Sequence, residues 1–361
     1  MAGAASPSFE DPRPASVVTV SETPRPTLAE LTTLRLGGPA TEVVETHDEA
    51  SLVEAVRSAD ERGTPVLIVG GGSNLVVSDE GFDGRVVVVR TTGLRVEDDM
   101  CGGALVEIGA GVNWDDVVAT AVDRGWIGIE ALSGIPGTTG ATPIQNVGAY
   151  GQEISQTLAR VRTWDRLLGG FRTFAAAECS FGYRTSRFKR DPGRHVVVSA
   201  TLQFRLGDLG APVQYAELAN ALGVDIGHRA PARDVREAVL DLRRRKAMVL
   251  DAADHDTWST GSFFTNPVVP PGQVPEGAPT WPLHDGLVKT SAAWLIERAG
   301  FTKGYGNERV RLSSRHTLAI TNRGGATTTD LLALAREIRD GVEQRFGIEL
   351  VNEPVLVNCR I

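Results

Sequence analysis

The chain has 361 residues, with 37 Lys and Arg against 45 Asp and Glu and a formal net charge of −8. That length suits about two or three domains and a core that needs no disulfide staples. The acidic balance argues against a nucleic-acid binder whose affinity comes from a basic face, but leaves room for a local cationic pocket that takes an anionic small molecule.

Residues 1–26 hold five of the 19 prolines, with no sustained periodicity, and read as a disordered tail. Asp48 then caps a helix carrying Leu52, Val56 and Ala59, which Gly63 stops. A buried strand from Pro65 to Val69 runs into Gly70-Gly71-Gly72-Ser73-Asn74 and a second strand from Leu75 to Ser78. Val86–Val89 and Leu105–Ile108 add strands. Asn113 caps a helix with Asp115 and Asp116 in its first turn, and Gly125 ends it. Residues 132–151 are too rich in Gly, Pro and Thr for regular structure, yet they lie inside a domain. Val196–Phe204 reads as the last strand of this unit.

Beyond it, the pattern predicts a helix over Asp234–Leu250, with Val235, Val239 and Leu242 on one face. Six prolines follow between Pro267 and Pro282, then a short helix over Lys289–Ala299. The strongest helix runs from Asp330 to Phe346, capped by Thr329 or Asp330 and stopped by Gly347. Two α+β domains are expected, with a join near residue 207: 27–207 and 208–361.

Forty glycines make about 11% of the chain against an average near 7%, without a collagen period, so they mark tight turns and close backbone approaches. Cys101, Cys179 and Cys359 are far apart and lack CxxC spacing, which reads as free thiols in a reducing compartment. The histidines at 47, 195, 228, 255, 284 and 316 show no HxxH or HExxH spacing, so no metal site is expected. The longest apolar runs are strand-length and the N-terminus lacks a signal-peptide pattern, so a cytoplasmic protein without membrane insertion is expected.

Five segments could carry chemistry. The GGGSN segment can converge backbone N–H groups on a phosphate, or it is a glycine-rich hairpin turn. It is not a G-x-G-x-x-G opening a helix, so a Rossmann assignment does not apply. Residues 132–151 are backbone wrapped around a flat or extended cofactor, or an ordered Ω-like loop. Phe181–Lys189 offers arginines for a carboxylate or phosphate, or a solvated basic edge. In Thr260–Pro267 a hydroxyl lies between glycine and paired aromatics, without G-x-S-x-G or an assignable triad. Near the end, Glu349, Val351 and Glu353 would point the same way in a strand, and spacing does not choose between the two carboxyls.

These segments in this order resemble the UDP-N-acetylenolpyruvoylglucosamine reductase (MurB) family, from about Thr33 to Val357. The likeness runs through Thr33-Leu34-Arg35-Leu36-Gly37-Gly38, Gly71-Gly72-Ser73-Asn74, Ile135-Pro136-Gly137, Gln145-Asn146-Val147-Gly148-Ala149-Tyr150-Gly151, Tyr183-Arg184, Gly261-Ser262-Phe263-Phe264 and Asn352-Glu353. The resemblance implies an FAD-binding domain of the p-cresol methylhydroxylase type, then a smaller α+β substrate-binding domain whose C-terminal strand returns toward the active site. It implies non-covalent FAD, NADPH as reductant and a UDP-sugar substrate whose enolpyruvyl double bond is reduced to give UDP-N-acetylmuramate. A monomer is expected.

By the same resemblance Arg184, Ser262 and Glu353 are catalytic. Arg184 and Glu353 would hold the substrate carboxylate as it turns toward an enolate. A carboxyl beside an enolate is reasonable only if it is protonated or holds a water or hydroxyl donor. Ser262 would deliver the proton to carbon, as a poor acid acting on a strongly basic intermediate. FAD would be held by Arg35, Gly70, Gly71, Gly72, Ser73, Asn74, Leu75, Ile135, Pro136, Gly137, Thr139, Gly140, Ile144, Gly148 and Arg243. The UDP-sugar would meet Tyr183, Tyr215, Lys246, Asn266, Lys289 and His316, with Tyr215 covering it. Around Glu353 the chain departs from the family pattern, with Asn352 before and Pro354 after it. The alternatives are an FAD-dependent oxidase of the same flavin fold, which would consume oxygen and need no NADPH, and a flavin- or nucleotide-binding module without catalysis.

Overall fold

The computed structural model describes residues 26–98, 103–283 and 286–361. The tail expected over 1–26 (Pro26 apart), Cys101 and His284 lie outside the described residues. Helix α1 (Glu49–Glu61) starts where Asp48 accepts the Ser51 N–H at 2.7 Å, and it buries Leu52, Val56 and Ala59 as the spacing requires. It lies on a parallel three-stranded sheet in the order β1 (Ala40–Thr46), β4 (Phe82–Val89), β2 (Val66–Val69).

β2 ends at Val69, and the chain continues through the glycines into β3 (Leu75–Val77), which pairs in parallel with the C-terminal β18 (Val355–Val357). The strands flanking GGGSN therefore belong to different sheets. The hairpin alternative is excluded, and the glycines stand in the gap between the sheets.

The next layer is an antiparallel sheet in the order β11 (Gly170–Ala175), β10 (Leu158–Asp165), β12 (His195–Leu206), β6 (Ala104–Gly109), β5 (Leu94–Asp98), with β7 (Trp126–Ile127) beside β12. Helix α2 (Trp114–Asp123) is capped by Asn113 and places Trp114 in a core with Val106, Ile108, Leu132, Phe174 and Phe204. Residues 132–151 are irregular yet tied down. Ser73 Oγ donates to the Pro136 carbonyl at 3.0 Å, and Asn74 Nδ2 donates to Gln145 Oε1 at 2.7 Å. The stretch ends in a small hairpin, β8 (Gly148–Ala149) and β9 (Gln152–Glu153). A one-turn helix, α3 (Arg187–Arg190), precedes β12.

Past residue 207, α4 (Ala216–Leu222) and α5 (Ala232–Arg245) share a small core with Ala131. Glu130 makes the seam. Fully buried, its carboxyl accepts from the N–H groups of Gly128 and Ala211 at 2.6 Å each and from Gln152 Nε2 at 2.8 Å. Glu130→Ala leaves one buried and two half-buried donors unpaired and should cost about 3 kcal/mol, at roughly 1–3 kcal/mol for the buried group and less for the two that water can reach. Urea denaturation with an unchanged slope and a lower midpoint would show it; an unchanged midpoint would refute the seam.

Helix α5 ends before the expected Leu250. Ala247 adopts a left-handed φ of 55°, the Met248 N–H returns to the Arg243 carbonyl at 2.9 Å, and Arg243 Nη2 donates to the Met248 carbonyl at 2.9 Å. The early turn aims Arg243 and Lys246 at the cavity described below.

The C-terminal part packs α6 (Ala292–Arg298) and α7 (Thr328–Phe346) around Phe263, Phe264, Leu295, Leu331, Ile338 and Val342, with Leu34, Leu36 and Val76 joining from the N-terminal part. Two small sheets complete it, β13 (Val268–Val269)–β15 (Val288–Thr290)–β14 (Thr280–Pro282) and β16 (Val310–Leu312)–β17 (Ile320–Asn322). Lys289 thus lies on a strand rather than in the predicted helix, because Ser291 caps α6 by accepting the Trp294 N–H at 3.2 Å. Thr327, not Thr329 or Asp330, caps α7, and Asp79 adds acceptors for the N–H groups of Thr328 (2.6 Å) and Thr329 (2.9 Å). The strand expected through Glu349–Glu353 does not form. Asn352 makes only an isolated antiparallel bridge to Phe264, its Nδ2 donates to the Pro354 carbonyl at 2.8 Å across a bend, and the strand begins only at Val355. Among the described residues, no helix is long and apolar enough to cross a membrane.

Candidate active site

A cavity of about 1330 Å³ opens where the two sheets and the C-terminal part meet. Its wall at one end is glycine. A Cβ at Gly71 would lie 2.6 Å from Gly137 Cα, and one at Gly70 would lie 2.4 Å from Thr138 Oγ1, so the two loops touch backbone to backbone. The N–H groups of Gly71, Gly72, Ser73 and Asn74 donate to no other described residue. Four free donors on a glycine loop form a cradle for an anionic group.

Gly70, Gly71, Gly72, Ser73, Asn74, Leu75, Ile135, Pro136, Gly140, Ile144 and Gly148 all line the cavity. Gly137, Thr139 and Arg35 do not. Gly137 stands behind Gly71, and Thr139 is buried with its hydroxyl on the Val112 carbonyl at 3.0 Å. Arg35 is exposed, its guanidinium 5.9 Å from the Trp258 ring.

At the centre, Arg184 sits in a tight turn closed by bonds between Gly182 and Thr185, with a left-handed φ of 52°. Its Nη2 donates to the Gly148 carbonyl at 2.8 Å, which fixes the side chain. Its Nε lies 3.1 Å from Glu353 Oε1, although the N–H is not aimed at that oxygen. Glu353 is held by the backbone: its N–H donates to the Phe263 carbonyl at 2.8 Å. Burial pushes its carboxyl above the ordinary carboxylate range, against the pull of Arg184 and then Lys189. Ser262, one residue before fully buried Phe263, lines the cavity from the facing segment, and its hydroxyl has no partner among the described residues. Glu349 is exposed and outside the cavity, which decides between the two carboxyls.

The remaining predicted contacts also line the cavity. Tyr183 Oη accepts the Asn266 N–H at 3.3 Å, and Lys289 Nζ lies 4.6 Å from the Tyr183 ring centre. Asn266 Oδ1 accepts the Ala292 N–H at 3.0 Å, so its amide nitrogen is the group left for a ligand. Tyr215 packs edge-on against Tyr150, with centroids 5.7 Å apart, and Lys246 Nζ pairs with Glu217 Oε2 at 2.5 Å. Burial lowers the His316 imidazole to about 4, helped by Lys246, so the ring is neutral near pH 7. Burial also lowers Arg243 to about 10, and its Nε is buried without a partner.

Five cations (Arg184, Lys189, Arg243, Lys246, Lys289) and two carboxyls (Glu153, Glu353) line the cavity of this acidic chain. A net-positive pocket with a glycine cradle suits a ligand that carries phosphates and a carboxylate. The orphaned Arg243 Nε and the four free N–H groups are donors of the kind that a flavin with a diphosphate needs, so the residues fit FAD. Sequence reasoning gave no role to Lys189, Tyr150 or Glu217. Lys189 and Tyr150 lay inside segments already singled out, the one for its charge and the other for its glycines; Glu217 carried no local signal.

The C-terminal domain of UDP-N-acetylenolpyruvoylglucosamine reductase matches residues 253–357, and an FAD binding domain matches residues 40–168. A UDP-N-acetylenolpyruvoylglucosamine reductase from Cutibacterium acnes is 57% identical over 339 residues, covering 92% of this chain and 90% of that one. One from Streptomyces avermitilis is 52% identical over 360 residues, covering 96% and 98%. The crystal structure of the reductase from Thermus caldophilus shares the fold with a TM-score of 0.62 at 25% identity, covering 92% of this chain and 98% of that one. With likeness of this degree along nearly the whole length of both sequences, the chain belongs to the UDP-N-acetylenolpyruvoylglucosamine reductase family.

Proposed function

We propose that the chain reduces the enolpyruvyl group of UDP-N-acetylglucosamine enolpyruvate to UDP-N-acetylmuramate, with Arg184, Ser262 and Glu353 as its catalytic residues. The observation that carries this is the Arg184–Glu353 pair, 3.1 Å apart in one cavity with Ser262 and the glycine cradle. In this cavity FAD would supply the hydride for the substrate double bond, replenished by NADPH. Gly70–Leu75, Ile135, Pro136, Gly140, Ile144, Gly148 and Arg243 would hold it without a covalent bond, with Gly137 and Thr139 backing the loops.

Arg184 binds the substrate carboxylate, where negative charge grows as the double bond is reduced. Glu353 keeps its proton, as burial favours, and donates a hydrogen bond toward the same charge. Ser262 gives its hydroxyl proton to the neighbouring carbon. Its freedom from internal hydrogen bonds leaves that hydroxyl for the substrate. Tyr183, Asn266 and Lys289 position the sugar and its carboxylate side, while Lys246, His316 and Tyr215 receive the diphosphate and uridine end.

Residues 27–207 serve the flavin and 208–361 the UDP-sugar in this scheme. The enzyme works as a cytoplasmic monomer, without nucleic-acid or membrane partners, and its product feeds peptidoglycan synthesis and through it cell shape and division. The purified protein is expected to show flavin absorption, to be bleached anaerobically by NADPH, and to regain its colour on addition of the UDP-sugar. Flavin that only oxygen reoxidises would mean an oxidase. Colourless protein that FAD does not reconstitute would mean a binding module.

A further inference from the structure

Lys189 lines the same cavity, and the scheme above gives it no task. It stands on α3, whose start Ser186 caps by accepting the N–H groups of Phe188 and Lys189 at 3.1 and 3.3 Å. The Ser186 hydroxyl donates in turn to the Ile144 carbonyl at 2.5 Å, which pins the helix to the flavin-side loop. From this fixed base the Lys189 ammonium reaches the backbone carbonyl of Glu353 at 3.4 Å. Glu353 is thereby held from two sides: its N–H by Phe263, its carbonyl by Lys189.

We propose that Lys189 is a positioning residue for the enolpyruvyl reduction, which acts through Glu353 by holding its backbone so that the carboxyl faces Arg184. This rests on the role given to Glu353 above. Every element around Glu353 contributes to its charge environment. The 182–185 turn brings Arg184 and Tyr183, and α3 brings Lys189. The 261–266 segment brings only the neutral Ser262 hydroxyl, β9 brings Glu153, and β15 brings Lys289, which feels both Arg184 and Glu153.

The sign follows from these neighbours. Burial favours the protonated Glu353, and the two cations Arg184 and Lys189 oppose it. Taking away Lys189's charge leaves burial less opposed, so the carboxyl keeps its proton to higher pH. Taking away its hydrogen bond frees the Glu353 carbonyl at the Pro354 bend, so the carboxyl spends less time in place.

The test uses the full flavin-loaded chain and variants Lys189→Met and Lys189→Arg. Reoxidation of NADPH-reduced enzyme by the UDP-sugar is followed across pH, with reduction by NADPH as the internal control. Lys189→Met should reoxidise about tenfold more slowly at its optimum. Its alkaline limb should move up by about one pH unit, with NADPH reduction within about twofold. Lys189→Arg, which keeps the charge, should keep the limb where it is. A limb that stays put in Lys189→Met, or equal losses in both half-reactions, overturns the proposal. Should Lys189→Met fold poorly, Lys189→Arg still decides, since a shifted limb in that variant is incompatible with a charge effect. Glu353→Leu, which removes the donor at similar bulk, separates the two levels. If it reoxidises at the unaltered rate, the role of Glu353 falls; if it is slow while Lys189→Met behaves as the unaltered protein, only the role of Lys189 falls.

Discussion

Ser262→Ala should leave the reduction of bound flavin by NADPH within about twofold of the unaltered rate. It should slow reoxidation by the UDP-sugar about a thousandfold, in the middle of the range for a lost proton donor. The fold gives no reason for a general loss. Ser262 is half-buried at the cavity wall and its hydroxyl holds nothing else together. The backbone on either side is secured independently: the Gly261 N–H by Ser259 Oγ at 3.1 Å, and Phe263 by the Leu318 carbonyl at 2.7 Å. Alanine therefore removes one proton and almost nothing more. Stopped-flow absorbance of the two half-reactions reads the result directly. Equal slowing of both would mean that Ser262 supports the cavity rather than the proton transfer.

The parts of the fold that were legible in the sequence are those set by local chemistry. Asp48, Asn113 and Gly347 mark helix ends with their own side chains or lack of one, and the structure uses each as the sequence suggests. The misplaced ends have non-local causes. The stop of α5 is a left-handed alanine, Ala247, which carries no glycine signal, and it holds because Arg243 bonds back to Met248. Lys289 sits in a three-residue strand whose partners come from residues 268–269 and 280–282, inside a proline-rich stretch with no alternation to read. Asp79 acts on α7 from the far side of the chain.

The site divides in the same way. Its glycine loops were visible because close approach demands glycine. The grouping of Arg184, Ser262 and Glu353 was not, since they lie on three separate segments, and only the family resemblance brought them together beforehand. Spacing also left Glu349 and Glu353 equivalent. They differ because the chain pairs only at Asn352, by an isolated bridge to Phe264, and bends at Pro354, so that Glu349 stays in solvent while Glu353 lines the cavity.

Gly71→Val should give a folded protein that purifies without its flavin, with affinity for FAD down about a hundredfold. The new side chain has no place to go. Even its first carbon would stand 2.6 Å from Gly137 Cα, and the loops cannot part freely while Ser73 holds Pro136 and Asn74 holds Gln145. Relief must come from rotation of the Gly71–Asn74 backbone, whose free N–H groups are the donors offered to the cofactor's phosphates. Overpacking of this kind costs about 1–3 kcal/mol, and its upper end corresponds to about a hundredfold in a binding constant at 1.4 kcal/mol per factor of ten. The hydrophobic cores lie elsewhere, on Trp114 and Phe204 and on Phe263 and Leu331, so far-ultraviolet circular dichroism should be unchanged. Ser73→Ala is the graded control: it removes one hydroxyl bond, adds no bulk, and should weaken FAD binding by only about fivefold, the worth of a single neutral hydrogen bond. Titration of the flavin-free proteins with FAD, read by quenching of flavin fluorescence, gives both constants. A Gly71→Val protein that retains FAD as tightly as the unaltered chain would place the cofactor's phosphates somewhere other than this loop.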